Sequence, residues 1–111
     1  MENAHDFELP REDELDSLTE IFSLFADSSR IRIICALLDH ELTVGEICDR
    51  VEMSQSAVSH QLRILRQARV VNNRRSGRSN YYTLDDSHVE EILRMGLHHV
   101  REDDEEDEGR A

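Results

Sequence analysis

SQSAVSHQLRILRQARVVNNRRSGRSNYYTL, residues 54–84, is the stretch that decides the fold. Ser54 is a helix-capping residue, and behind it Val58, Leu62 and Leu65 recur at helical spacing. Gln55, Ser56, Ser59, His60 and Arg63 are left on the other face. Two β-rich runs follow, Val70 to Arg75 and Ser79 to Leu84, separated by Ser76-Gly77-Arg78, which predicts a hairpin with arginines at its tip. Immediately upstream, Thr43-Val44-Gly45-Glu46 is a capping box opening a short helix with Val44, Ile47, Cys48 and Val51 on one side. Two short helices joined by a tight turn and followed by a hairpin make a helix-turn-helix with a wing.

Working outward, Leu15, Leu18, Phe22 and Phe25 place one apolar face on a first helix from about Arg11 to Ala26, a face expected to be buried. Asp27, Ser28 and Ser29 break the chain and cap a second helix, whose Ile31, Ile33, Ile34, Cys35, Leu37 and Leu38 cover most of its circumference, as in a central helix. A last helix starts at Ser87, with Ser87 and Glu90 as a second capping box and Val89, Ile92, Leu93, Gly96 and Val100 at helical spacing. The expected organisation is a flexible segment 1–10, a mainly α domain with a small β-hairpin over 11–102, and an acidic disordered tail over 103–111.

The chain has 111 residues, 38% of them hydrophobic, enough for one small domain and too few for a large enzyme with a deep cleft. So little apolar area favours an oligomer. No run approaches a membrane span and the start has no basic-then-apolar signal, so a cytoplasmic protein is expected. Cys35 and Cys48, each among aliphatic residues, make no disulfide framework. No Ser/His/Asp grouping or phosphate loop suggests an enzyme.

A net charge of −12 argues against nucleic acid until its distribution is read. Met53 to Leu84 holds no acid and six arginines, a local +6, leaving −18 over the rest of the chain. A helix fits the major groove, where its first turns reach base edges, a role suited to Gln55, Ser56, Ser59 and His60. Arg63 and the wing residues Arg74, Arg75 and Arg78 suit phosphate or minor-groove contacts. Ser54 is a cap first.

The last helix also carries Asp86, His88, His99 and Glu102, oxygen and nitrogen donors suited to zinc, in the spacing D-x-H-x10-H-x2-E. His88 and His99 share a face but lie roughly 16 Å apart along the axis, so one ion cannot take both. Each end of the helix offers half of a four-ligand site. Two such helices packed antiparallel about a two-fold axis would complete two tetrahedral sites and bury the apolar stripe in a homodimer. The same spacing also suits an ordinary surface helix, and Asp103 could replace Glu102. His98 lies towards Glu91 and Arg94; His5 and His40 are poor ligand candidates.

At these residues the sequence resembles the ArsR/SmtB family of metal-sensing bacterial repressors. The matching runs are ADSSRIRII (with Ser28 where Pro is usual), ELTVGEI, SQSAVSHQLRILRQARVV, RRSGRSNYYTL and DDSHVEEILRMGLHHVRE, over roughly residues 15 to 102. The resemblance implies a winged-helix homodimer that binds double-stranded operator DNA without metal and leaves it on binding Zn(II), derepressing efflux or sequestration genes. It places Asp86, His88, His99 and Glu102 at all four positions of the family's zinc site. It also implies coupling through the second ring nitrogen of His99 to a backbone carbonyl, by alignment that of Arg69. The thiolate site of other members is missing, with Thr43 at its first Cys position. Alternatives are a Co(II) or Ni(II) sensor with five or six ligands, or a regulator that uses Cys35 and Cys48 for redox sensing.

Overall fold

The computed structural model describes residues 7–110, with side chains described through Glu102. The elements run α1 (Glu12–Leu24), α2 (Ser28–Ala36), β1 (Leu42–Thr43), α3 (Val44–Val51), α4 (Gln55–Gln67), β2 (Val71–Ser76), β3 (Ser79–Leu84) and α5 (Ser87–Arg110). This is a winged helix-turn-helix, with α3 and α4 as the helix pair and β2–β3 as the wing.

Local chemistry sets most boundaries. Asp27 accepts from the backbone N–H groups of Ser29 (2.8 Å) and Arg30 (3.3 Å), which starts α2. Ser28 is then the first helical residue, a position where proline is at home. The capping box at α3 forms as expected: Thr43 Oγ1 accepts from Glu46 N–H at 3.2 Å, and Glu46 accepts from Thr43 N–H at 2.9 Å. Ser54 caps α4 by accepting from Ala57 N–H at 3.1 Å. That helix closes with Val70 N–H on Leu65 C=O (2.9 Å) and Arg69 N–H on Arg66 C=O (3.0 Å), the paired bonds of a Schellman motif. Arg69 accordingly takes a left-handed conformation, φ 63°, usually reserved for glycine. In the wing, Gly77 at φ 63° starts the two-residue turn between the paired Ser76 and Ser79, as a type II′ hairpin requires.

The core collects Ile33 and Ile34 from α2 with Leu37 at its C-cap, Ile47 from α3, Val58, Leu62 and Leu65 from α4, and Val70 and Val71 at the start of the wing. From α5 it receives Val89 and Leu93. Each such burial contributes about 1.5–3 kcal/mol against an exposed reference.

Four features differ from the sequence reading. The α1 stripe is not covered by its own chain: Leu15, Leu18 and Phe22 are 44%, 44% and 53% exposed, and no α1 residue is buried. A two-residue strand, β1, joins the edge of the hairpin in the order β1-β3-β2, all antiparallel, with Leu42 opposite Tyr82. Asp86 rather than Ser87 caps α5, its Oδ1 accepting from His88 N–H at 2.8 Å. Finally, the helical backbone of α5 continues to Arg110 through the stretch expected to be a disordered tail.

The radius of gyration is 17.3 Å and the molecule is 58 × 46 × 23 Å. A compact chain of this length has a radius of about 13 Å, so the fold is a flat slab with uncovered helices.

Candidate nucleic-acid interface and metal-ligand pairs

The outer face of α4 is as the sequence predicts: Gln55, Ser56, Ser59, His60 and Arg63 are all exposed, while Val58, Leu62 and Leu65 face the core. Ser56 also shares a 3.3 Å hydroxyl contact with the cap Ser54, which steadies the first turn. Beyond Ser59 and Arg63, a polar hollow of about 470 Å³ opens between α4 and the base of β3, lined also by Arg66, Gln67 and Tyr82. Arg66 sits one turn after Arg63 and adds a cation that the sequence reading did not select. Its signal was the i, i+3 spacing.

The three wing arginines separate. Cross-strand partners share a face of the sheet and successive residues alternate between faces. Asn73 pairs with Tyr82 and Arg75 with Asn80, so Arg75 lies on the face that Tyr82 turns toward α4. Arg74 pairs with Tyr81 on the opposite face, its guanidinium carbon 4.9 Å from the ring centroid. There it meets Glu41 in a bidentate pair, Nε–Oε2 at 2.7 Å and NH2–Oε1 at 2.8 Å. Hydrogen bonding to Arg74 holds the Glu41 carboxyl below the usual carboxylate range. Arg75 and Arg78 are exposed and form no ion pair among the described residues.

A second arginine missed at the sequence level works inside the fold. Arg30, 17% exposed, donates to the carbonyls of Leu24 (3.2 Å) and Ser23 (3.3 Å) at the end of α1 and reaches Gln61 Oε1 on α4 at 3.4 Å. It ties three helices together.

At the start of α5, Asp86 and His88 lie together, with Asp86 Oδ1 3.4 Å from His88 Nδ1. Three turns on, His99 borders a shallow apolar hollow with Glu91, Ile92, Met95 and Gly96. Glu102 is turned to His98, 3.0 Å from its Nε2, so the histidine placed towards Glu91 and Arg94 is the present partner of that carboxylate. Among the described residues no group of three or more His, Cys, Asp or Glu side chains could hold a metal ion. The donors are nevertheless the right kind for zinc: two imidazoles and two carboxylates, paired at either end of one helix. At 100° per residue, His88, Ile92, Met95, His99 and Glu102 fall within about 40° of one line along α5. Ile92 and Met95 on that line are 40% and 72% exposed.

Cys35 and Cys48 are both partly buried against the core. Burial pushes the Cys35 thiol up, with Arg101 acting in the other direction, which disfavours the reactive thiolate. Among the described residues no helix is long and apolar enough to cross a membrane.

Residues 27–73 match the bacterial regulatory protein, arsR family. The chain is 46% identical over 92 residues to a transcriptional repressor SmtB homolog of Synechocystis sp., covering 83% of this chain and 70% of that protein. The chain belongs to the arsR family. Like its arsR-family relatives it is a transcription regulator with a winged helix-turn-helix, not an enzyme. It is similar to the transcriptional activator HlyU of Vibrio cholerae, 39% identical over 80 residues, or 72% of this chain and 73% of that one. The solved HlyU structure superposes with a TM-score of 0.74 at 36% identity, over 81% of this chain and 97% of HlyU. The antimony-specific transcriptional repressor AntR superposes with a TM-score of 0.84 at 28% identity, over 92% and 93% of the two chains.

Proposed function

We propose that this arsR-family chain is a cytoplasmic homodimeric repressor that binds operator DNA without metal and releases it on binding Zn(II). The reading is carried by one observation: the candidate ligands His88, His99 and Glu102 share one face of α5 with the exposed apolar residues Ile92 and Met95. A second copy laid antiparallel on that face would cover Ile92 and Met95 and bring Asp86 and His88 of one protomer to His99 and Glu102 of the other. The exposed stripe on α1 supplies further area for the same interface. Gln55, Ser56, Ser59 and His60 read base edges, and Arg63, Arg75 and Arg78 hold phosphates.

A bound zinc ion supplies charge and a fixed orientation for the imidazoles. With zinc bound, His99 would coordinate through one ring nitrogen, and its other ring N–H would be the donor to the Arg69 carbonyl just past α4, coupling the metal to the DNA-binding unit. Metal and DNA then oppose each other by linkage. The relatives named as an SmtB homolog repressor and an antimony-specific repressor support a metal effector, and the two-imidazole, two-carboxylate set favours zinc among metals.

Duplexes enriched from a random-sequence library by the wild-type protein provide the binding probe, assayed with and without zinc, cobalt and nickel at fixed salt. His99→Ala is expected to bind DNA as the wild type does and to lose zinc-driven release. Release by this variant at wild-type zinc concentrations overturns the coupling role. Cobalt in the wild-type protein should give the intense visible bands of a tetrahedral site; weak bands of a five- or six-coordinate site would point to a nickel or cobalt sensor instead.

A further inference from the structure

We infer that Glu41 and Arg74 form a positioning pair that fixes the wing against the helix-turn-helix, and that Arg74 is not one of the DNA-contacting cations. The inference rests on the DNA-binding reading above and reassigns a residue that composition alone places with the phosphate contacts.

Three independent features lead to it. The first is facing: Arg74 and its partner Tyr81 occupy the sheet face opposite the one that Tyr82 turns toward the recognition helix, whereas Arg75 occupies the helix side. The second is engagement, because Nε and NH2 of Arg74 are both held by one carboxylate while the guanidinium lies over the Tyr81 ring. The third is connectivity. Glu41 immediately precedes β1, and Thr43, the last residue of β1, is also the N-cap of α3. A guanidinium on β2 held by Glu41 therefore links the hairpin to the residue that starts the helix-turn-helix. β1 itself is only two residues long and pairs with β3, so a side-chain bond from β2, on the far side of β3, reinforces a short ladder.

This arrangement gives opposite signs to two explanations. Removing a carboxylate near a DNA-binding surface should tighten DNA binding if Glu41 acts only by repelling phosphate. Removing it should weaken binding if it orients the wing.

The test measures affinity for the enriched duplex as a function of salt for the full chain and for Glu41→Ala, Arg74→Ala, the double variant and Arg75→Ala. Loss of a phosphate contact lowers the slope of log K against log[salt] by about 0.9 per contact. Arg75→Ala should show that drop in each protomer. Arg74→Ala and Glu41→Ala should weaken binding equally, about 3- to 10-fold with the same change of slope, and the double variant should be no weaker than either. A slope drop in Arg74→Ala that Glu41→Ala does not share, or tighter binding by Glu41→Ala, overturns the assignment; the second readout stands alone should Arg74→Ala fail to fold. Absence of salt-dependent binding by the wild type is a separate result, which overturns the DNA-binding reading and this inference with it.

Discussion

Arg30 shows how a charged residue becomes structural. Its guanidinium serves two carbonyls at the end of α1 and an amide oxygen on α4, all from a largely buried position. Hydrogen bonds to a charged group contribute about 1.5–3 kcal/mol, and unsatisfied partners would remain after truncation. Arg30→Ala should therefore lower unfolding stability by about 2 kcal/mol, read as a lower urea midpoint at unchanged slope. A loss below about 0.5 kcal/mol would mean that solvent takes over these bonds without cost. Nothing in SSRIRII distinguishes Arg30 from Arg32, because the contact to Gln61 spans 31 residues and exists only after α2 and α4 have packed. The same limit applies to Arg74 and Glu41, 33 residues apart.

Elements were legible where their signals are local. The caps at Asp27, Thr43 and Ser54, the Gly77 turn and the inward faces of α3 and α4 all follow from residues a few positions apart. What depends on distant pairing was not legible: Leu42 and Thr43 are a strand only because Tyr82 and Tyr81 lie beside them. At α5 the run Asp85-Asp86-Ser87 offers three competent caps in succession, and tertiary placement selects Asp86. The wing pair also has a pH signature. Glu41 is held below its ordinary range in the folded protein, so its contribution is complete above the unfolded carboxylate value and is lost as pH falls through the depressed folded value. The melting temperature of the wild type should exceed that of Glu41→Ala near neutrality, and the gap should close in acid. A gap that stays constant to low pH would remove the ion pair as its cause.

At the scale of the whole molecule, the slab shape and the uncovered faces of α1 and α5 point to a second copy. Ile92→Glu introduces a charge on the exposed α5 face without touching the core of the single chain. It is expected to give a folded monomer by sedimentation equilibrium and to abolish tight zinc binding while keeping the helical circular dichroism. A dimer of undiminished affinity would move the interface elsewhere. The candidate ligand pairs are a reading of spacing, and the engagement of Glu102 with His98 was not legible in it, because it depends on rotamers within one turn of helix. Splitting the donors between the two ends of α5 has a quantitative consequence for the proposed sensor. Far below the dimer dissociation constant, complete sites accumulate with the square of chain number, so the zinc level that triggers release depends on how much of the protein the cell holds. Halving expression would cut responsive sites fourfold, making protein abundance itself a setting of the metal threshold.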